Sequence, residues 1–386
     1  MNDLIKNKQF IIFGEDFQRH PHALEHLLKP LFKYNQFIWV ETIGLRSPKF
    51  NLYDLKRIAE KLLKWSKPQN TVDQNIPQSI HIVRPFMIPL NQFKLIRIFN
   101  RWSVDRSVKS KIQDLNFQNP ITIASVPNAA DYVGNYNEKL KLYFCVDEFS
   151  LWPGLNYNLV SNLEKNLINK VDCIMATSSA LVESKIIPGK KTILIDHGVE
   201  FEHFNLGRKQ STEPQLKICY FGLFDQRNNQ EILTQIAKDL PHDQIDIIGN
   251  VVCDTQSLEK YSNIHFLGPV SYQSLPDKIR PYDIFILPYV ENELTRNINP
   301  LKLKEYISTS RLIISTPLPE VLKFKEFIAI GNNGQDFVEH INQYRNNLNN
   351  PTFFNPQKAI DYIKNHETWE MKALKLSNLI NQLENH

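Results

Sequence analysis

The chain has 386 residues, enough for two domains of ordinary size, and its 42% hydrophobic and 22% charged residues are those of a globular protein. Nothing in it is low-complexity, no apolar run approaches the 18 residues of a membrane span, and the opening MNDLIKNKQF has no apolar core for a signal peptide. The four cysteines, Cys145, Cys173, Cys219 and Cys253, lack metal-type spacing and fit reduced core thiols of a cytosolic protein, and the net charge of +4 is mild.

Taken in order, residues 9–13 (QFIIF) read as a first strand. Gly14 follows it and permits close approach of backbone to a ligand, although no G-x-G-x-x-G fingerprint is present. A helix from His22 to about Tyr34 leads to a second strand at 37–40. From Lys49 to Lys111 the charge is uneven, with 13 Lys/Arg against 4 Asp/Glu. Leu52, Leu55, Ile58, Ala59, Leu62 and Leu63 recur there at helical spacing, and Trp65, Phe93, Phe99 and Trp102 lie among the cations. This pattern suits either an anionic membrane surface or a solvated basic face over a core-facing stripe. No nucleic-acid recognition motif accompanies it, so nucleic acid is not expected as a partner.

Strands are expected at 80–83, 121–125, 142–146, 173–176 and 192–195. Asp147 and Glu148 follow directly on a strand end, where either can act as a general base or cap the next turn; Asn128 and Asp131 are weaker candidates. Pro188-Gly189-Lys190-Lys191-Thr192 lacks the first glycine of a phosphate loop and precedes a strand, so it is a turn. The polar stretch 206–214 is the expected linker, and a second strand series follows at 216–222, 245–249, 264–268 and 284–287.

The stretch 283–320 concentrates the functional signal. A strand stopped by Pro288 leads through a polar loop to Asn299-Pro300, read as an N-cap and a first-turn proline. Leu301, Leu303, Tyr306 and Ile307 give the helix one apolar face, and a strand at 312–315 closes a βαβ unit. In such units ligands sit beyond the carboxyl ends of the strands, where a helix N-terminus favours anions. Lys302 in the first turn opposes the dipole unless an anion is bound, and Glu305 one turn on can accept from ribose hydroxyls. The alternative for the two is a surface ion pair.

Pro300-Leu301-Lys302-x-x-Glu305-Tyr306, followed by a strand and Pro319-Glu320-Val321, resembles the nucleotide-sugar site of GT-B glycosyltransferases, in the branch of the large retaining family 4 that builds capsules, exopolysaccharides and teichuronic-type polymers. The segments 171–178 and His197-Gly198-Val199-x-x-x-x-Phe204 are similar to strand ends of that family. G-E-D-F-x-R-H-P at 14–21 and W-V-x-T-I-G-L-R-x-P at 39–48 are similar to an amino-terminal signature of bacterial polysaccharide glycosyltransferases. The resemblance implies an α/β protein with two Rossmann-like, doubly wound domains facing across a cleft: an acceptor domain at 1–205, a donor domain at 206–365, and a last helix at 366–386 crossing back to the first. It implies donor contacts from Gly222, Arg227, Tyr289, Asn299, Lys302 and Glu305. Gly14, Glu15, Asp16, Arg19 and His197 would line the acceptor side or the cleft. Asp147 and Glu148 stand as candidate catalytic groups, and His20 is either catalytic, acceptor-binding or a loop-ordering residue.

Three positions depart from the family pattern: Asn297 where its first glutamate would stand, Leu223 in place of a companion arginine, and Ser308-Thr309-Ser310 at the helix end. No D-x-D metal motif occurs, which suits a GT-B enzyme working without metal or cofactor on a UDP- or GDP-linked donor. The expected activity is retaining glycosyl transfer to a glycan or lipid-linked acceptor, in the cytoplasm or at the inner membrane face. A nucleotide-sugar epimerase and an inactive GT-B binding protein remain the alternatives.

Overall fold

Short runs of β-branched and aromatic residues alternate with amphipathic helices along the chain, a pattern that builds parallel sheets covered on both faces. The computed structural model of the protein describes residues 3–18, 22–44, 76–207, 209, 213, 215–348, 350 and 353–385. The stripe at 52–63, Trp65, Arg19 and His20 lie outside the described residues.

The chain divides into two units, Met1–Asp196 with Lys372–His386, and His197–Met371. The first holds a seven-stranded sheet made of β1 (Gln9–Gly14), β2 (Gln36–Glu41), β3 (Ile80–Val83), β4 (Ile121–Ala124), β5 (Leu140–Cys145), β6 (Cys173–Ala176) and β7 (Lys191–Leu194). Its spatial order is β3-β2-β1-β4-β5-β6-β7 and every pairing is parallel. The strand order reverses between β1 and β4, so the carboxyl ends of those two strands border the switch-point crevice. Phe13, Val40, Ala124, Tyr143 and Ala176 belong to one continuous core along this sheet.

The second unit repeats the plan with six strands: β8 (Lys217–Phe221), β9 (Gln244–Ile248), β10 (Ile264–Gly268), β11 (Ile284–Leu287), β12 (Leu312–Ser315) and β13 (Ala329–Ile330). Their order is β10-β9-β8-β11-β12-β13, again wholly parallel, with the switch point between β8 and β11. β11 and β12 are buried at every position, as strands covered on both faces must be. Each expected strand is present, while the two-residue β13 is too short to leave a pattern.

Several local readings need correction. The helix expected from His22 to about Tyr34 is α-helical only over Ala23–Leu28 and tightens to a 3₁₀ turn at Lys29–Leu31. Pro30 has no N–H to continue the ladder, and its ring opposes the preceding turn. The loop after β11 contains a helix, Glu293–Asn297, started by a reciprocal pair in which Asn292 and Thr295 each accept the other's backbone N–H. Chain order also divides differently from composition. Val199, Phe201 and Phe204 pack into the core of the second unit, so residues 197–205 belong there. The last helix, Trp369–Glu384, joins the first unit from Lys372 onward. Within that unit Ala373, Leu376, Leu379 and Ile380 are buried, and the Ile5 amide donates to Ser377 Oγ at 3.2 Å.

Candidate functional site

In the second unit the site forms where β8 and β11 end. β11 pairs with β8 only at Ile284–Ile218 and Phe285–Cys219, which leaves Phe221 with no partner on that side. The Tyr306 hydroxyl fills the gap, accepting from the Phe221 amide and donating to the Phe221 carbonyl, both at 3.0 Å. That double contact pins the helix Leu301–Ser308 against the β8 terminus. The N-cap of this helix is Pro300, not Asn299 as expected. Asn299 is buried one residue earlier, Pro300 makes no side-chain cap bond, and no acidic residue lies in the first turn. The Leu303 N–H bonds to the Pro300 carbonyl at 3.1 Å, and Lys302 is the charged side chain of this first turn, at the end of the helix where the dipole is positive.

Gly222 follows β8 with φ +122°, and a Cβ there would lie 1.7 Å from Lys302 Cε. The lysine stem occupies the space that any side chain at 222 would need. Its ammonium lies 5.5 Å from the ring centre of Tyr220 and 5.9 Å from that of Tyr289, and donates to the Tyr289 hydroxyl at 3.3 Å. Burial pushes the Tyr289 phenol up, but Lys302 and Arg227 overcome it and hold the group below its ordinary value.

Arg227 is less available than the resemblance implied. It grips Asp225 at two points, Nε at 2.9 Å from one carboxylate oxygen and Nη2 at 2.7 Å from the other, with its guanidinium 5.9 Å from the Tyr289 ring centre. Glu305 is raised from 4.5 to about 7, by burial first, with Lys302 pulling it down and Glu200 pushing it up. Glu200 accepts from the Tyr272 hydroxyl at 2.6 Å. Asn297, at the end of the Glu293–Asn297 helix, uses its amide to donate to the Glu293 carbonyl at 2.7 Å. His197 belongs to this unit rather than to the first. Its ring packs 6.2 Å from that of Trp369, and its carbonyl accepts from the buried Lys304, which is also paired with Glu367. Gly222, Arg227, Tyr289 and Lys302 thus meet in one place, with Glu305 one helical turn from Lys302. Sequence reasoning missed Tyr220, Asp225 and Glu200. Asp225 alone left a usable signal, an acid two residues from the arginine.

In the first unit Gly14 ends β1, where a Cβ would sit 3.4 Å from Leu24 Cδ2 and from Ser125 Oγ. The Glu15 carbonyl accepts from Trp39 Nε1 at 2.9 Å. Asp16 bears on His22, whose ring caps the next helix and whose pKa falls to about 4 through burial and then His26, with Asp16 opposing. Asp147 is half-buried after β5, and its carbonyl accepts from the Cys145 thiol at 3.5 Å. Glu148 is committed elsewhere. Its carboxylate pairs with Lys185 at 2.6 Å and accepts from Ser150 Oγ at 2.6 Å. Lys185 also pairs with Glu164 at 2.6 Å, and Glu164 accepts from the Tyr143 hydroxyl at 2.7 Å. Glu148 is thus held in a network of ion pairs and hydrogen bonds, and Asp147 stands next to it after the end of β5. Asn128 donates to the Ile43 carbonyl at 2.7 Å, and Asp131 makes a two-point pair with Arg97 at 2.8 and 2.6 Å. Among the described residues no group of three or more His, Cys, Asp or Glu side chains is arranged to hold a metal ion.

Two doubly wound parallel α/β units, with seven and six strands, give this chain the GT-B fold of glycosyltransferases. Sucrose-phosphate synthase from Thermosynechococcus elongatus has the same fold, with a TM-score of 0.69 and 13% identity over 98% of this chain and 99% of that one. Anabaena Alr3699/HepE, solved with UDP and glucose, aligns with a TM-score of 0.64 and 12% identity over 97% of this chain and 100% of its own. In sequence the chain is similar to TuaH of Bacillus subtilis (strain 168), whose assignment as a teichuronic acid biosynthesis glycosyltransferase is provisional, at 22% identity over 182 residues. The match covers 44% of this chain and 46% of that protein, about half the length of each. No family model matches the chain.

Proposed function

We propose that this protein is a glycosyltransferase that moves a sugar from a nucleoside diphosphate sugar to a glycan acceptor during synthesis of a bacterial surface polymer. The observation that carries the reading is Lys302, in the first turn of a helix whose N-cap is a proline, beside Gly222 and between two tyrosine rings. A fixed cation at the positive end of a helix suits a leaving diphosphate, whose charge grows in the transition state. The Anabaena protein's complexes with UDP and with UDP-glucose support a UDP-linked donor, with GDP the alternative base. The likeness to TuaH supports a surface polymer.

In this reading Lys302 neutralises the departing diphosphate and Glu305, when ionised, accepts from the ribose hydroxyls. Arg227 acts through Tyr289, holding the phenol beside Lys302, rather than on phosphate. The enzyme works in the cytoplasm, without a metal, on an acceptor carried by a lipid at the inner face of the membrane. Transfer is retaining: the leaving phosphate takes the acceptor proton, and Asp147 positions the acceptor. Incubation with a panel of UDP- and GDP-sugars tests the reading, with products followed by NMR. Transfer or slow hydrolysis with the donor's anomeric configuration preserved is expected. An inverted product would make Asp147 the base, epimerised sugar would indicate an epimerase, and binding without turnover would leave a binding protein.

A further inference from the structure

On the helix Lys94–Asp114 the faces are exchanged over the first half. The side packed on β2 and β3 carries Asn100, Ser103, Val104 and Val108. Asn100 is used fully there, its oxygen accepting from the Ile88 amide at 2.8 Å and its amide donating to the Ile88 carbonyl at 2.9 Å. Leu95, Ile98, Phe99 and Trp102, at spacing i, i+3, i+4, i+7, share the outward face; Leu95 is 80% exposed and Trp102 57%. Phe93 extends the stripe, and Phe86 meets Phe99 edge-on at 6.2 Å.

Val104 and Val108 in the core together with polar ties, not burial of that stripe, hold the helix in place: Arg97 bonds Asp131 at two points, and the Tyr136 hydroxyl donates to Asp105 at 2.7 Å. A contiguous apolar patch left on the surface marks an interaction face. Its rim has one sign. Lys94, Arg106 and Lys109 are exposed beside it, with the Arg106 guanidinium 5.8 Å from the Trp102 ring centre, while Arg101 is tied back to Asp105 at 3.8 Å and to Asn135 at 3.0 Å. Asp105 turns inward to Asn135 and Tyr136, and no other acid lies on the helix before Asp114.

We propose that this face docks on an anionic lipid surface, the stripe entering the boundary between headgroups and acyl chains while Lys94, Arg106 and Lys109 meet lipid phosphates. Apolar and aromatic groups bordered by cations fit that boundary, where tryptophan is favoured. A second copy of the chain fits poorly, because a two-fold contact through this face would set cations against cations. The inference deepens the reading of a membrane-borne acceptor, but its test uses neither donor nor acceptor, so the two can fail separately.

The full chain is co-sedimented with phosphatidylcholine vesicles and with vesicles half phosphatidylglycerol, at low and high salt. Binding to the anionic vesicles only, weakening with salt, is expected. Leu95→Ser with Trp102→Ser should lower vesicle affinity by more than about tenfold with circular dichroism unchanged. Lys94→Glu with Lys109→Glu should lower it by about 25-fold or more, near fivefold for each cation removed. Trp102→Phe guards against misfolding of the serine pair; it should keep binding while losing quenching of tryptophan emission by brominated lipid. Three results overturn the proposal: no preference for anionic vesicles, binding unaffected by the stripe variant, or a stripe variant that only converts a dimer to monomer.

Discussion

At Gly222 an added Cβ would meet Lys302 Cε at 1.7 Å, on a backbone whose φ of +122° already disfavours a side chain. Glycine and lysine are therefore a matched pair, and the lysine can be tested without touching the backbone. Lys302→Ala should lower kcat/KM by roughly 100- to 1,000-fold with the unfolding midpoint unchanged, and a loss under about threefold would remove Lys302 from the diphosphate. Glu305 makes a pH prediction. Because its folded pKa is raised from 4.5 to about 7, the folded chain keeps a proton that the unfolded chain has released. Its contribution to stability is full below pH 4.5 and is lost as pH rises through about 7. If the ionised form takes the ribose, nucleotide affinity rises by up to about tenfold between pH 6 and 8. Calorimetry at both pH values checks this, and Glu305→Gln should flatten the rise. An unchanged slope in that variant would assign the pH dependence to the diphosphate.

One buried hydroxyl ties the helix Leu301–Ser308 to β8. Tyr306→Phe leaves the Phe221 amide and carbonyl without that partner in a dry core, a loss of about 1–3 kcal/mol. Urea unfolding measures it, and a cost near zero would mean that water or a strand shift replaces the hydroxyl. The apolar stripe of this helix was legible from spacing, as was Lys302 standing against the dipole. What Tyr306 does with its oxygen was not, because the gap it fills depends on how far β11 pairs along β8. Arg227 shows the same limit. Its position followed from the loop after β8, but its capture by Asp225 depends on a two-residue turn geometry that composition does not encode. Pro30 is the reverse case: the residue that ends the first helix was in plain view, and the apolar pattern after it outweighed the missing N–H.

Across the whole molecule, the first unit is built from two separated pieces of chain. Lys8 and Lys139 both pair with Glu384, and Lys372 pairs with Asp196, so the last helix is bound to that unit by charge as well as by Leu376, Leu379 and Ile380. Leu376→Ala should cost about 2–5 kcal/mol. Hydrogen exchange should locate the loss in β1 to β7; equal loss in β8 to β13 would mean that the two units unfold together. The same discontinuity sets an order of events during synthesis. The piece 1–196 leaves the ribosome first, yet its closing helix is made only after the 175 residues 197–371. At ~5–20 residues per second that wait is roughly nine to thirty-five seconds. For that interval the groove meant for Leu376 and Ile380 is open to water, and the second unit closes its own core only when Ala359 and Ile363 have been made, shortly before the last helix. The amino-terminal unit is therefore the first to be made and the last to finish folding.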